Sequence, residues 1–233
     1  MKAFLLAAGL GRRLRPLTDH TPKCMVPIAG KPLLDIWLDT LHRAGVDEVL
    51  VNLHHLPEVV LRHLGARKGP PTVHTVLEPE LLGSAGTLYR HRTWVAGDDL
   101  FLALNGDNLT DFDLRDLIDF HRSGDAVATL TVFSAEDPTR HGIVEMDPAG
   151  LMTGFIEKPS EPTSNLANAG MYAFHPSILD SIDPIPPTDI GLHLLPTLVG
   201  RARILRVGGY FCDVGTPTAY KRAMQDWRPA VLR

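Results

Sequence analysis

Leu5-Leu6-Ala7-Ala8-Gly9-Leu10-Gly11-Arg12-Arg13-Leu14-Arg15-Pro16-Leu17-Thr18, continued by Thr21-Pro22-Lys23-Cys24-Met25-Val26-Pro27, is the stretch on which the reading of this chain turns. The apolar run Ala3 to Ala8 is short, bounded by glycine and almost at the N-terminus, which suits a buried strand of a parallel sheet better than a helix. Gly9 and Gly11 then turn the chain. Both can take positive φ, and neither puts a Cβ between its backbone N–H and a ligand. Arg12, Arg13 and Arg15 follow in a segment that Pro16 and Pro22 keep from becoming a regular helix, and Lys23 adds a point charge. Glycines and dense positive charge at the end of a first strand imply a polyanionic ligand such as a triphosphate. A Rossmann fingerprint would need its third glycine near Leu14, so a dinucleotide is disfavoured.

Beyond this stretch the chain alternates strand and helix. Pro32–Ala44 carries an apolar stripe at Leu33, Leu34, Trp37, Leu38 and Leu41 and reads as a helix; Val49–Leu53 and Val73–Leu77 read as strands around a helix over Leu56–Leu64. Strand Leu100–Leu104, helix Leu114–His121 and strand Ala126–Phe133 continue the rhythm. It predicts a doubly wound, mainly parallel, Rossmann-like α/β sheet with ligands at the carboxyl ends of the strands. The pattern then breaks. His141 to Glu157, with a turn at Asp147-Pro148-Ala149-Gly150, reads as an inserted hairpin. Short helices over Pro176–Ile182 and Leu192–Val199 flank Ile185-Pro186-Pro187, a loop given no chemistry. Strands Ile204–Val207 and Tyr210–Cys212 lead to a closing helix, Thr218–Trp227.

With 233 residues the chain suits one catalytic domain, 1–233. A net charge of -4 and 21% charged residues give no basic excess for nucleic acid. The first apolar run is too short for a signal segment or a membrane span, so no membrane partner is expected and the expected compartment is cytoplasmic. Cys24 and Cys212 have no metal-ligand spacing and are expected as reduced thiols. The eleven histidines show no zinc spacing. Asn105-Gly106-Asp107 leaves a strand at the same sheet edge as the arginine loop, where an aspartate beside phosphates suits Mg²⁺.

The string Gly-x-Gly-x-Arg-Leu-x-Pro-Leu-Thr followed by Pro-Lys resembles the signature of the sugar-1-phosphate nucleotidyltransferases, with Cys24 standing where the family usually has proline. Glu157-Lys158-Pro159, Asn168-Ala169-Gly170-Met171-Tyr172 and Asp213-Val214-Gly215-Thr216-Pro217 resemble further family elements in the same order. The resemblance implies a nucleoside triphosphate and a sugar 1-phosphate as substrates, with pyrophosphate released. It implies a nucleotide loop of Leu6, Ala8, Gly9, Gly11 and Arg12, completed by Asn105 and by Gly83, Ser84 and Gly86, where Ser84 is expected to cap a helix.

On the same basis Arg13 serves the leaving phosphates, Lys23 the α-phosphate region, and Asp107 with Asp213 the Mg²⁺, both aspartates leaving strands at one sheet edge. Gly142, Glu157, Lys158 and Asn168 serve the sugar phosphate and sugar, Gly142 by leaving room for the ring. GTP with mannose 1-phosphate or a manno-configured heptose 1-phosphate is preferred over dTTP or UTP. Backbone groups of Leu10–Gly11 and Leu82–Gly86 are candidate readers of the base. Cytidylyl transfer to phosphocholine and a non-catalytic nucleotide sensor are the alternatives. No left-handed β-helix domain is expected, and the sequence sets no oligomeric state.

Overall fold

A computed structural model describes residues 1–228; the last five residues of the expected domain lie outside the described residues. In chain order the strands are β1 (Lys2–Leu6), β2 (Pro27–Ile28), β3 (Lys31–Pro32), β4 (Glu48–Leu53), β5 (Thr72–Leu77), β6 (Phe101–Asn105), β7 (Asn108–Thr110), β8 (Ala128–Ser134), β9 (Gly142–Met146), β10 (Met152–Glu157), β11 (Leu166–Phe174), β12 (Ala202–Arg206) and β13 (Phe211–Asp213). The α-helices are α1 (Leu33–Arg43), α2 (Pro57–Ala66), α3 (Ser84–Arg90), α4 (Leu114–Arg122) and α5 (Pro217–Asp226). The main sheet runs β10-β9-β11-β6-β1-β4-β5, and β8 joins β11 to β12.

Strands β5, β4, β1 and β6 are mutually parallel, as the βα rhythm predicts. Beyond β6 the sheet changes character: β11 runs antiparallel to β6, β8 and β9, and β9–β10 is the expected hairpin. Alternate residues of β1 feed opposite cores. Ala3 and Leu5 pack with α1 and α4, while Phe4 packs with α3 and the segment around Ile178–Leu198. A strand buried on both faces has no polar positions to alternate, and so reads as a continuous apolar run.

Register decides where function can sit. Leu6 lies level with Asn52 on β4 and Asn105 on β6, so the carboxyl ends of three strands form one ledge. The ledge continues through backbone bonds from Gly106 N–H to Leu6 C=O (2.9 Å) and from Glu78 N–H to Leu53 C=O (2.8 Å). The short pair β7–β13 stands apart from the main sheet and brings Asp213 opposite Asn108. Trp37 on α1 ties this pair down by donating from Nε1 to Asn108 C=O at 2.8 Å. The two-residue ladder β2–β3 is a still smaller outlier beside α1.

Candidate active site

Above the ledge lies a cleft of about 420 Å³. It is lined by Leu6, Ala8, Gly9, Arg13, Lys23, Gly83, Ser84, Asn105 and Asp107 from the expected nucleotide set. Gly142, Glu157, Lys158, Asn168 and Asp213 from the expected acceptor and metal sets line the same cleft. Gly11, Arg12 and Gly86 do not line it. Gly11 is the left-handed residue of the first loop (φ 61°), and a Cβ there would come within 2.8 Å of Thr18 Cγ2. Its role is to fold the loop onto Thr18, whose hydroxyl donates to Gly11 C=O at 2.8 Å. Gly9 needs no positive φ; a Cβ there would meet open space. Arg12 is exposed outside the cleft, and Gly86 lines a second cavity with Tyr89 and Pro186.

The centre of charge is Lys23, whose side chain is only 9% exposed. Its Nζ donates a hydrogen bond to Asp107 Oδ2 and lies 3.5 Å from Asp213 Oδ1. One ammonium therefore bridges carboxylates 106 residues apart in sequence and offsets their mutual repulsion. The juxtaposition is built by backbone: Val214 N–H donates to Asp107 C=O at 3.0 Å, pinning the end of β13 to the turn after β6. Only Asp107 follows a strand of the main sheet; Asp213 ends the separate β7–β13 pair, which corrects the expectation of a shared edge. Arg13 reaches the same point, with Nη2 3.9 Å from Asp213 Oδ2. Asp213 Oδ1 is buried and has no hydrogen-bond donor among the described residues.

A group of three or more His, Cys, Asp or Glu fit to hold a metal does not occur among the described residues. Two carboxylates are nevertheless what Mg²⁺ needs from a protein when phosphate oxygens and waters supply the rest. Among the described residues Asp213 Oδ1 accepts no hydrogen bond and faces only the Lys23 ammonium at 3.5 Å, so it keeps lone pairs for a cation and the residues present fit that ion. Cys24 also lines the cleft, and burial pushes its thiol up to about 12, so it stays protonated and a poor nucleophile.

Sequence reading missed a buried polar clamp beneath the first loop. Asn52 Oδ1 accepts from Ala7 N–H (2.7 Å), while its Nδ2 donates to Glu78 Oε1 (2.9 Å) and Thr87 Oγ1 (3.1 Å). Thr87 donates to Glu78 Oε1 (2.5 Å), and Leu82 N–H donates to Glu78 Oε2 (3.2 Å). This network joins the exits of β1, β4 and β5 to α3, and satisfied buried polar networks rigidify what they join. Its signal was a lone Asn inside the apolar run Val49–Leu53.

The proline-rich loop, given no chemistry from sequence, is a strap across α3. Thr188 C=O accepts from Ala85 N–H (3.0 Å) and Gly86 N–H (3.1 Å), and Thr188 N–H donates to Leu82 C=O (2.9 Å). Of the backbone groups expected to read a base, Ala85 N–H, Gly86 N–H and Leu82 C=O are taken up by this strap. Gly83 is compelled twice over: its φ is 79°, and a Cβ would come to 2.1 Å from Thr188 O. Ser84 is not the cap; Gly83 holds that position with no side-chain bond. Ser84 Oγ instead donates to Asp189 Oδ2 (2.9 Å) and accepts from Ile190 N–H (2.7 Å). Asp189 Oδ1 accepts from Gly191 N–H (2.8 Å), and a Cβ on Gly191 would meet Glu157 Oε2 at 2.9 Å. The strap thus runs from the loop expected to hold the nucleotide to Glu157, expected on the acceptor side.

At that side, the space opposite Gly142 is already partly filled, since a Cβ there would meet Phe155 Cζ at 2.5 Å and Glu157 Oε2 at 2.7 Å. Packing within the protein needs this glycine before any sugar does. Lys158 sits at positive φ (47°), with Nζ 3.2 Å from Glu157 Oε1. Asn168 is held by Tyr172, its Nδ2 donating to the phenol oxygen at 2.7 Å. Tyr172 itself is buried and does not line the cleft.

The family model described as nucleotidyl transferase matches residues 2–228. The chain belongs to that family. Among its curated relatives, the mannose-1-phosphate guanyltransferase of Gibberella zeae is 36% identical across 93% of this chain and 61% of its own length. The catalytic subunit beta of the Drosophila melanogaster mannose-1-phosphate guanylyltransferase is 35% identical across 96% of this chain and 62% of its own length. The chain thus spans about three fifths of such relatives. HddC from Yersinia pseudotuberculosis, solved complexed with GMP-PN, superposes on this family member with a TM-score of 0.81 at 24% identity, covering 97% of this chain and 99% of that one. A Bacillus anthracis crystal structure in complex with a sucrose reaches 0.85 at 23% identity, covering 100% and 97%. At such identities these likenesses speak for the fold. No helix among the described residues is long and apolar enough to cross a membrane.

Proposed function

We propose that the cleft transfers a nucleotidyl group from a nucleoside triphosphate to a sugar 1-phosphate, giving a nucleoside-diphosphate sugar and pyrophosphate. The observation that carries this is the convergence of Arg13, Lys23, Asp107 and Asp213 at one point of a cleft that also holds Glu157, Lys158 and Asn168. An oxygen of the sugar phosphate attacks the α-phosphorus, a P–O bond forms, and the bond to the β-phosphate breaks with its electron pair leaving on pyrophosphate. The attacking oxygen is already ionised near neutral pH, so positioning and charge neutralisation suffice.

Arg13 holds the leaving phosphates and Lys23 the α-phosphate region. Glycine loops backed by the Asn52 clamp orient the nucleotide, and Lys158 with Glu157 and Asn168 orients the acceptor. Asp107 and Asp213 would hold Mg²⁺, which supplies charge neutralisation at the phosphates when bound. The neutral Cys24 thiol accords with direct transfer.

The guanylyltransferase names of the curated relatives, and the GMP-PN in a like fold, favour GTP with a manno-configured sugar 1-phosphate over dTTP or UTP. A cytoplasmic location, beside the nucleotide supply, is part of this proposal. Pyrophosphate release over a matrix of GTP, ATP, CTP, UTP and dTTP against mannose 1-phosphate, a manno-heptose 1-phosphate, glucose 1-phosphate and phosphocholine tests it. Release with GTP and a manno-configured acceptor is expected. Preference for dTTP or UTP overturns the base, preference for phosphocholine overturns the acceptor, and binding of nucleotide without release in any pair overturns transfer.

A further inference from the structure

Four side chains of fixed positive charge line the cleft among the described residues: Arg13, Lys23, Arg140 and Lys158. Three already face carboxylates. Arg13 lies 3.9 Å from Asp213, Lys23 bridges Asp107 and Asp213, and Lys158 lies 3.2 Å from Glu157. Arg140 makes no ion pair, and its guanidinium no hydrogen bond, with any described residue. Its backbone is held firmly. Arg140 ends the single turn Pro138–Arg140, its N–H donates to Asp137 C=O, and the next residue accepts from Lys158 N–H at 3.1 Å. That last bond places Arg140 and Lys158 at one lip of the cleft. The imidazole of His141 packs edge-on to Phe133 (5.2 Å between ring centres), and Phe133 lies against Phe211 (4.3 Å), two residues from Asp213.

We propose that Arg140 binds the phosphate of the acceptor, sharing it with Lys158; this rests on the transfer reading above. Bringing a phosphate dianion up to a triphosphate sets two polyanions against each other, and the approach is favourable only where cations sit between them. Lys23 and Arg13 already serve the two aspartates and the triphosphate, and Lys158 is shared with Glu157. The uncommitted guanidinium can face two phosphate oxygens with its planar fork, fixing direction as well as charge. Arg140 is a binding residue here; it takes no proton and forms no bond.

The test is steady-state kinetics with mannose 1-phosphate varied at saturating GTP, and GTP varied at saturating mannose 1-phosphate. R140A is expected to raise KM for the sugar phosphate about 10- to 100-fold, the scale of a lost hydrogen bond to a charged group, with KM for GTP within about twofold. R140K, which keeps the charge and loses the fork, should recover part of the affinity. Thermal melting of each variant separates loss of fold from loss of binding, and calorimetric titration with mannose 1-phosphate gives the same comparison without turnover. An unchanged acceptor KM in R140A overturns the proposal. Equal rises in both KM values, or a rise for GTP alone, overturn it too by assigning Arg140 to the nucleotide. Wild-type protein that releases no pyrophosphate with any acceptor defeats the transfer reading itself, a distinct outcome.

Discussion

The two halves of the cleft are built by opposite strategies. On the half proposed to hold the nucleotide, four parallel strands end on one ledge, and short loops spring from it: Leu6 to Arg13 at the end of β1, Asn105 to Asp107 at the end of β6, Leu82 to Gly86 after β5. That surface combines the glycine turns at Gly9 and Gly83 with the side chains of Arg13, Lys23, Ser84 and Asp107, and the Asn52 clamp holds it from beneath. On the half proposed to hold the acceptor, strands out of sequence order run antiparallel, and side chains from four separate segments reach the cleft: Arg140, Glu157, Lys158, Asn168 and Asp189. On the proposed function, a triphosphate common to many enzymes suits a rigid cradle, whereas a sugar suits exchangeable side chains.

If the division holds, damage on the nucleotide half should strike turnover and damage on the acceptor half should strike acceptor affinity. Arg13→Ala should lower turnover by roughly 10² to 10³, the scale for losing a charge-stabilising donor at a developing anion. Arg12→Ala, outside the cleft, should change it little. Equal, small effects in a pyrophosphate-release assay would reduce the loop to a basic surface. Asp213→Asn and Asp107→Asn should each lower turnover by at least about 10², with a concurrent weakening of Mn²⁺ binding read by electron paramagnetic resonance. Undiminished Mn²⁺ binding in both would remove the metal role.

The sequence showed one half far more fully than the other, for a physical reason. The glycines, arginines and Pro-Lys of the first loop lie within 23 residues, so their spacing is their geometry. The parallel ledge follows from βα alternation, and the hairpin from its turn. Convergence of Asp107 with Asp213 was expected, but its route was not, because the β7–β13 pair is three residues long on each side. Nothing local in Thr188 announces that its carbonyl closes α3. Arg140 and Asp189 were passed over because an arginine before a hairpin and an aspartate before a helical turn are ordinary solvated or capping residues until tertiary structure places them beside a cleft.

The strap between the halves offers a smaller effect. Gly83→Ala combines a left-handed backbone with a clash against Thr188, and strain of about 1–3 kcal/mol is expected. For a chain of this size that lowers the melting temperature by roughly 2–4 °C per kcal/mol. An unchanged melting temperature would show that the strap yields freely and does not tie the halves together.

The smallest expected effect lies away from the cleft and serves as its control. Burial holds the His121 imidazole below the ordinary histidine value, helped by the positive charges of His175, Arg203 and Arg122, while Nδ1 meets Thr129 Oγ1 at 2.9 Å. A depressed histidine favours the fold above its unfolded value of about 6.5, and that contribution is lost as pH falls. Denaturant midpoints at pH 7.5 and pH 5.5 should therefore drop less in His121→Gln than in the wild type, with acceptor and nucleotide KM unchanged at pH 7.5. An equal drop would remove the linkage.

The central claim is transfer of a nucleotidyl group between two bound polyanions. Phosphorus-31 magnetic resonance of GTP, mannose 1-phosphate and Mg²⁺ with catalytic protein tests it most directly. The sugar phosphate monoester signal should be replaced by a pyrophosphate diester pair, with free pyrophosphate appearing in a one-to-one ratio. Release of inorganic phosphate, or of pyrophosphate with the sugar phosphate signal intact, would contradict it.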